Sequence, residues 1–163
     1  MDKFCKFCGS LHTMPEYPKT CTACNQVSWI NPIPVAVLGL RVRDFAGKKG
    51  ILIGERGIPP HKGQMALISG FVDPTDKSIE HAAVRELSEE TGITISHTNV
   101  KIVSSHNVGR NMLIFCRTSV PMNVHDVLNQ FKANEECPRI DIAWAPQELA
   151  FDMHTKMLKV FAG

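Results

Sequence analysis

The sequence predicts an α/β domain preceded by a small zinc-binding module that contains four cysteines. Two Cys-x2-Cys pairs lie within the first thirty residues, and strand-like apolar runs alternate with helical segments after them. One of those helical segments carries three glutamates on a single face. A chain of 163 residues, 44% of them hydrophobic, can bury one sizeable core and carry a small appendage. We therefore predict a zinc ribbon over residues 1–30 and a larger domain over residues 31–163.

The four N-terminal cysteines have the spacing of a structural zinc site. Cys5 and Cys8 form one pair, and Cys21 and Cys24 form the other. Four thiolates at this spacing close a tetrahedral Zn²⁺ site that leaves no open position for chemistry. Disulfides are the alternative, but the N-terminus does not have the pattern of a secretory signal, so we expect thiols. A segment this short buries no core, so zinc must supply most of its folding free energy.

Apolar runs and turn residues predict the elements of the larger domain. Two prolines keep the chain out of a helix at residues 32–34, and a hairpin is predicted over 34–56 with its turn at 44–50. Later runs predict strands and helices in alternation. The further strands are predicted over 65–68, 100–106, 111–120 and 140–144, and the later helices over 125–133 and 147–163.

The segment between Ser78 and Gly92 predicts a helix with an acidic face. Ser78 is a suitable N-cap and Gly92 a suitable C′ residue. Glu86, Glu89 and Glu90 lie at positions i, i+3 and i+4, so their side chains project together. Three crowded carboxylates repel one another unless a cation lies among them, and oxygen ligands suit Mg²⁺ carrying a phosphate. The alternative is a solvated acidic face with one ion pair.

The acidic helix also carries a sequence resemblance. R-E-L-S-E-E-T-G-I over residues 85–93 resembles the core of the Nudix box, G-x5-E-x7-R-E-U-x-E-E-x-G-U, in which U is aliphatic. Gly70 resembles the glycine that opens the box. The stretch from Gly70 to Arg85 is one residue longer than the pattern, so the first glutamate falls on Asp76 or Lys77. A cysteine ribbon, an N-P-x-P-V linker, a hairpin and a box follow one another as in the zinc-ribbon Nudix hydrolases.

The resemblance implies an α/β/α sandwich with a mixed sheet and a metal-dependent hydrolase. Its substrate would be a small nucleotide with an ADP-linked pyrophosphate, of the ADP-ribose, NAD(H) or FAD type, and AMP would be released. The implied ligands of Mg²⁺ or Mn²⁺ are Glu86, Glu89, Glu90 and the carbonyl of Gly70. Arg85 would orient a carboxylate of the catalytic site. A homodimer is also implied, because dimers are common in the family.

The general base and the substrate contacts have several candidates. Glu86, Glu135 and Glu136 are each candidates for the base, and the latter two are equally well explained as solvated carboxylates. Arg56 would hold a phosphate or lie in solvent. Phe71 would pack on the nucleobase of the substrate, although packing in the protein core is favoured. The histidines have no evident partner, so we interpret them as structural or surface residues: His61, His106 and His154.

Composition and the remaining motifs limit the functional class. The 18 basic and 16 acidic residues do not favour a nucleic-acid partner bound by bulk charge. No apolar run is long enough for a membrane span, so a soluble cytoplasmic protein is expected. Residues 104–113 lack the proline and tryptophan of the S-Q-P-W-P-F-P-type signature of NADH pyrophosphatases, which counts against reduced NAD as the dedicated substrate. A sensor module without turnover and a zinc-ribbon nucleic-acid adaptor are the alternatives.

Overall fold

A computed structural model describes residues 3–162 and divides the chain into two compact units. The first unit extends to Pro32 and the second begins at Ile33. In the first unit, β1 (Lys19–Thr20) pairs antiparallel with β2 (Val27–Ser28). Among the described residues, no helix is long and apolar enough to cross a membrane.

The second unit contains nine strands and three α-helices among its described residues. The strands are β3 (Ile33–Gly39), β4 (Arg41–Arg43), β5 (Lys49–Glu55), β6 (Met65–Ala66), β7 (Ile68–Phe71), β8 (Val100–Val108), β9 (Asn111–Thr118), β10 (Met122–Asn123) and β11 (Ile140–Ala143). The helices are α1 (Ile79–Thr91), α2 (Val124–Gln130) and α3 (Asp152–Ala162), with a 3-10 turn at His97–Asn99. The strand predicted over residues 34–43 is therefore two strands, and the one predicted over 65–68 is divided between β6 and β7. The helix predicted over 147–163 begins at Asp152, and the other predicted elements are present.

The strands form two sheets that each mix parallel and antiparallel pairs. In the first sheet the order is β7-β3-β9-β8, and β3 pairs antiparallel with β7 and parallel with β9. In the second the order is β10-β4-β5-β11, with β6 also beside β5. The predicted mixed arrangement is confirmed.

Helices cover the sheets on two sides. Alternate residues of a strand face opposite sides, so the residues of β3 show which helix covers each side. On β3, Ala36 and Leu38 belong to a core that includes helix α1, which we call the α1 core. Val35 and Val37 of the same strand belong to a second core that includes helix α3, the α3 core. This arrangement confirms the α/β/α sandwich that the resemblance implies.

Helix α1 begins and ends where its sequence predicts. The hydroxyl of Ser78 accepts the backbone N–H of His81 at 3.3 Å, which caps the first turn. Gly92 has a φ of 72° and donates its N–H to the carbonyl of Ser88 at 2.8 Å. Ala82, Ala83 and Leu87 are buried. At 100° per residue, Glu86 and Glu90 fall on the same side of the helix as these three residues, so their carboxylates are turned toward the sheet rather than toward solvent.

Candidate functional site

A cavity of about 1030 Å³ lies in the second unit, where β5, β7, α1 and the start of α3 meet. Carboxylates of α1 line one part of it, and aromatic side chains with an arginine line another. The lining includes most of the residues that the sequence singles out, among them Arg56, Gly70, Phe71, Arg85, Glu86, Glu90 and Glu136. Glu89 and Glu135 are not part of the lining.

The backbone of Gly70 lies directly against the carboxylate of Glu86. A methyl group added to Gly70 would overlap all three atoms of that carboxylate. The absence of a side chain at Gly70 therefore lets strand β7 approach helix α1 closely enough to bring the Gly70 backbone against the Glu86 carboxylate. The side chain of Glu86 is 14% exposed, so this contact is largely sheltered from water.

The surroundings of the two α1 carboxylates that line the cavity, Glu86 and Glu90, disfavour their charged forms. Burial raises the pKa of Glu90 to about 8, and the charges of Glu86 and Glu136 act in the same direction. Burial also raises the pKa of Glu86, against the opposing effect of Arg85. Sheltered carboxylates that repel one another are a suitable donor set for a hard divalent cation. Glu86 and Glu90 thus offer oxygen ligands of the kind that Mg²⁺ and Mn²⁺ prefer.

Arg85 connects the carboxylates that surround the start of the box. Its guanidinium donates to both oxygens of Asp76, at 3.0 and 2.9 Å, and this pairing holds the pKa of Asp76 below its ordinary value. It also donates to Glu86 at 2.7 Å, to Glu89 at 2.8 Å and to the Phe71 carbonyl at 2.9 Å. The Glu89 side chain is 59% exposed and turned toward Arg85. The structure thus brings Glu86 and Glu90 to the cavity and pairs Glu89 with the arginine.

A tight turn over residues 73–76 accommodates the extra residue of the box. The N–H of Asp76 donates to the Asp73 carbonyl at 2.9 Å, and the N–H of Asp73 donates to the Asp76 carboxylate at 2.8 Å. Thr75 donates its N–H and its hydroxyl to the Asp73 carboxylate at 2.8 and 2.7 Å. Of the two positions where the first glutamate could fall, Asp76 reaches Arg85, while Lys77 is exposed.

A loop between α2 and β11 carries Glu136 to the same cavity. The side-chain amide of Asn134 donates to the carbonyls of Glu89 and Glu90 at 2.8 and 3.1 Å. Its oxygen accepts the N–H groups of Glu136 at 3.0 Å and of Cys137 at 2.8 Å. Asn134 therefore ties the loop to the end of α1. This role of Asn134 is not predicted from the sequence, because a lone asparagine gives no local signal for it.

The Glu136 loop is also held from β5. The N–H of Gly57 donates to the Glu136 carbonyl at 2.7 Å, and a side chain at Gly57 would overlap the carbonyl of Glu135. Because the loop is fixed on both sides, Glu136 lines the cavity and its charge acts on the carboxylates of α1. Of the two adjacent candidates for the base, Glu136 is the one at the site.

Arg56 and Phe151 form the aromatic part of the lining. The Nε of Arg56 donates to the Pro60 carbonyl at 2.7 Å, and the guanidinium lies 5.1 Å from the centre of the Phe151 ring. The rings of His61 and His154 lie 5.1 and 4.9 Å from that of Phe151. Arg56 is thus at the cavity rather than in solvent.

Phe71 differs from the sequence interpretation. It lines the cavity and is 59% exposed, so the core packing favoured for it is wrong. His154 is 3% exposed, which agrees with the structural interpretation, and it also lines the cavity. His106 is exposed on β8 and lies outside the lining. No sequence pattern separates these two histidines, because the difference arises from the packing of α3 on the sheet.

The four cysteines of the first unit converge as the zinc prediction requires. Their sulfur atoms all lie within 4.8 Å of one another, with 3.7 Å between Cys5 and Cys24 and 3.6 Å between Cys8 and Cys21. A tetrahedron of thiolates around Zn²⁺ has sulfur–sulfur edges of about 3.8 Å. All four are free thiols, so the disulfide alternative is not seen. The arrangement fits a structural zinc ion.

Comparisons with known proteins agree with this geometry. The NUDIX domain profile matches residues 32–160. The human NAD-capped RNA hydrolase NUDT12 is 25% identical over 164 residues, which cover 94% of this chain and 33% of the relative. The NAD-capped RNA hydrolase NudC of Photobacterium profundum is 29% identical over 105 residues, covering 63% of this chain and 36% of the relative. The chain thus spans about a third of the length of these curated relatives.

The fold is also seen in a solved structure. A NUDIX hydrolase from Nitrosomonas europaea superposes with a TM-score of 0.62 at 20% identity. The match covers 97% of this chain and 89% of the solved one.

Proposed function

The chain belongs to the Nudix family, and from this premise we propose that it hydrolyses the pyrophosphate bond of an ADP-linked nucleotide and releases AMP. The substrate class is that of ADP-ribose, NAD(H) or FAD, and the reaction depends on Mg²⁺ or Mn²⁺. The observation that carries the proposal is the pair Glu86 and Glu90, which line one cavity of about 1030 Å³, with Glu86 packed against the Gly70 backbone. A cavity of this size is sufficient for a dinucleotide.

The carboxylates define where the pyrophosphate would bind. Glu86, Glu90 and the Gly70 carbonyl would hold the divalent ion, and Arg85 orients Glu86 through its 2.7 Å hydrogen bond. When bound, the ion supplies positive charge that neutralises the bridging phosphates and activates water. Arg56 lines the same cavity, and its charge acts on Glu90, so its guanidinium can hold a phosphate oxygen.

Glu136 is the proposed general base. Its carboxylate accepts a proton from the attacking water, whose oxygen forms a new bond to phosphorus while the bridging P–O bond breaks. The leaving phosphate takes the bridging oxygen, so the products are AMP and a second phosphate monoester. Asn134 and Gly57 hold the loop of Glu136, and this rigidity supports a role that needs accurate placement.

Release of AMP tests the proposal directly. The panel contains ADP-ribose, NADH, NAD⁺, FAD and a 5′-NAD-capped RNA, each with Mg²⁺, with Mn²⁺ and with EDTA. Metal-dependent AMP from ADP-ribose, NADH, NAD⁺ or FAD supports the hydrolase and names its substrate. Hydrolysis of the capped RNA is measured instead as nicotinamide mononucleotide and a 5′-monophosphate RNA, because the adenosine stays attached to the RNA. Capped RNA is included because the two matched relatives carry that activity in their names.

Matched variants test the base. Glu136→Gln should lower the rate by at least about 100-fold, the usual contribution of a general base. Glu135→Gln, which changes the neighbouring carboxylate outside the cavity, should remain within about twofold of the wild type. Equal rates for the two variants would refute the assignment of Glu136.

Turnover of none of these compounds would favour the alternative, a Nudix-fold nucleotide-binding or sensor module. Nucleotide binding by calorimetry without AMP release would establish it. The ribbon is proposed to hold zinc in a structural role, and a homodimer stays a prediction that sedimentation velocity can test. A cytoplasmic location is proposed as well, since the free thiols of the ribbon suit a reducing compartment.

A further inference from the structure

We propose that His154 reads a heteroaromatic ring of the nucleotide, by donating a hydrogen bond from its Nε2–H to an acceptor atom on that ring or its carboxamide. The ring would lie in the part of the cavity bounded by His154, Phe151 and Arg56, which we call the ring subsite. The inference rests on the proposed function in one respect, namely that the ligand of the cavity is a nucleotide. Beyond the proposed function, it identifies the residue of this chain that selects the ring.

The tautomer of His154 is determined by the backbone of the loop before β7. The N–H of Leu67 donates to Nδ1 of His154 at 3.3 Å, inside the protein. Because Nδ1 accepts, the neutral imidazole must carry its proton on Nε2. Within residues 3–162, no group accepts a hydrogen bond from this Nε2–H. The side chain is 3% exposed and lines the cavity, so an acceptor on a ligand bound there can pair with this N–H.

The surroundings keep this donor neutral. Phe151 lies 4.9 Å and Phe115 6.1 Å from the His154 ring, and burial among them disfavours a charged imidazolium. The charge of Arg56 acts in the same direction, and together they lower the pKa of His154 to about 4. A neutral N–H in an apolar wall suits an uncharged acceptor, such as a ring nitrogen or an amide oxygen, better than it suits a phosphate.

Arg56 supplies a positive charge close to the neutral His154. The guanidinium of Arg56 lies 5.1 Å from the Phe151 ring centre and is held by the Pro60 carbonyl. A phosphate near Arg56 would therefore be followed by a ring near Phe151, which is the order of groups in a nucleotide. Phe151 would make an aromatic contact with the ring, and the hydrogen bond from His154 would fix the orientation of the ring.

Two rings of an NAD-type substrate have suitable acceptors, and the experiment separates them. His154→Gln and His154→Leu are compared with His106→Gln, which changes a histidine outside the cavity. The values of kcat and KM are measured for NADH, for ADP-ribose, which lacks nicotinamide, and for nicotinamide hypoxanthine dinucleotide, in which adenine is altered. Melting temperatures and circular dichroism spectra establish that each variant is folded.

Recognition of nicotinamide predicts about a tenfold loss of kcat/KM for NADH in His154→Leu and a loss below threefold for ADP-ribose. Recognition of adenine predicts a tenfold loss for both, together with loss of the wild-type preference for adenine over hypoxanthine. In either case most of the change is in KM, because the contact is made to a group away from the reacting phosphorus. His154→Gln, which keeps an N–H donor, should recover part of the loss.

The proposal would be overturned if the kcat/KM values of the three compounds had the same ratios to one another in the wild type and in folded His154→Leu. A lower kcat that is equal for every compound would also overturn it, since that is the result of a purely structural role. If the wild type turns over none of them, the proposed function fails separately. The ring subsite is then tested by calorimetry with NADH and ADP-ribose, where equal affinities for wild type and His154→Leu refute it.

Discussion

Replacement of Arg85 by alanine tests the network at the start of the box. The guanidinium makes two hydrogen bonds to Asp76 and one each to Glu86, Glu89 and the Phe71 carbonyl. Its loss leaves the Asp76 side chain, which is 6% exposed, without a bidentate partner. It also removes from Glu86 the cation that opposes the rise in its pKa caused by burial.

The expected cost of Arg85→Ala follows from this exposure. Deleting one member of a well-buried ion pair costs about 3–5 kcal/mol. Arg85 is 29% exposed, so solvent screens part of the interaction and we expect about 2 kcal/mol. For a domain of this size that lowers Tm by about 6 °C, at about 3 °C per kcal/mol. The double variant Asp76→Ala/Arg85→Ala should be little worse than Arg85→Ala, because the unpaired carboxylate is then also removed.

Urea unfolding of wild type, both single variants and the double variant measures the coupling between Asp76 and Arg85. The pairing lowers the pKa of Asp76 in the folded state, so its contribution is present above the unfolded pKa of about 3.9 and is lost as the pH falls through the lower folded value. The stability difference between wild type and Arg85→Ala should therefore shrink below about pH 4. Additive effects of the two substitutions at pH 7 would refute the pairing as the reason for the cost.

Three further predictions concern the metal sites and the buried histidine. Glu90→Gln should lower AMP release at least about 100-fold and weaken Mn²⁺ binding in calorimetry with an unchanged fold, and near-normal turnover would contradict its role as a ligand. Cys21→Ser should release zinc, measured by elemental analysis, and a zinc-free variant with an intact ribbon would contradict the structural site. Between pH 6.5 and 4 the wild type should lose up to about 3 kcal/mol relative to His154→Gln, because the unfolded histidine binds a proton that the folded one, with its pKa of about 4, does not. Parallel urea midpoints for these two proteins across that range would show that His154 is not buried as a neutral ring.

Local signals are sufficient for much of the fold. The caps of α1 at Ser78 and Gly92 depend on side-chain and backbone chemistry within a few residues, and both are observed. The four cysteines converge because their spacing leaves few other arrangements. The α/β/α order follows from the family resemblance, whereas periodicity alone predicts only alternating strands and helices.

The parts that the sequence does not predict depend on contacts between distant segments. Asn134 lies 44 and 45 residues from the two carbonyls that its amide contacts, and His154 lies 87 residues from Leu67. Such pairs have no local pattern. Asp76 is an intermediate case. The sequence offers Asp76 or Lys77 for the first glutamate of the box, and the contact of Asp76 with Arg85 depends on the turn over residues 73–76.

The division of the interior into an α1 core and an α3 core has a consequence for how this enzyme fold can change. Glu86 and Glu90 belong to the helix that packs in the first core, whereas His154 belongs to the helix that packs in the second. Side chains of α3 can therefore be exchanged and repacked without disturbing the packing beneath the acidic helix. The proposed ring contact and the proposed metal ligands thus lie on different helices, so substitutions that alter ring preference can be made in one layer while the other is kept.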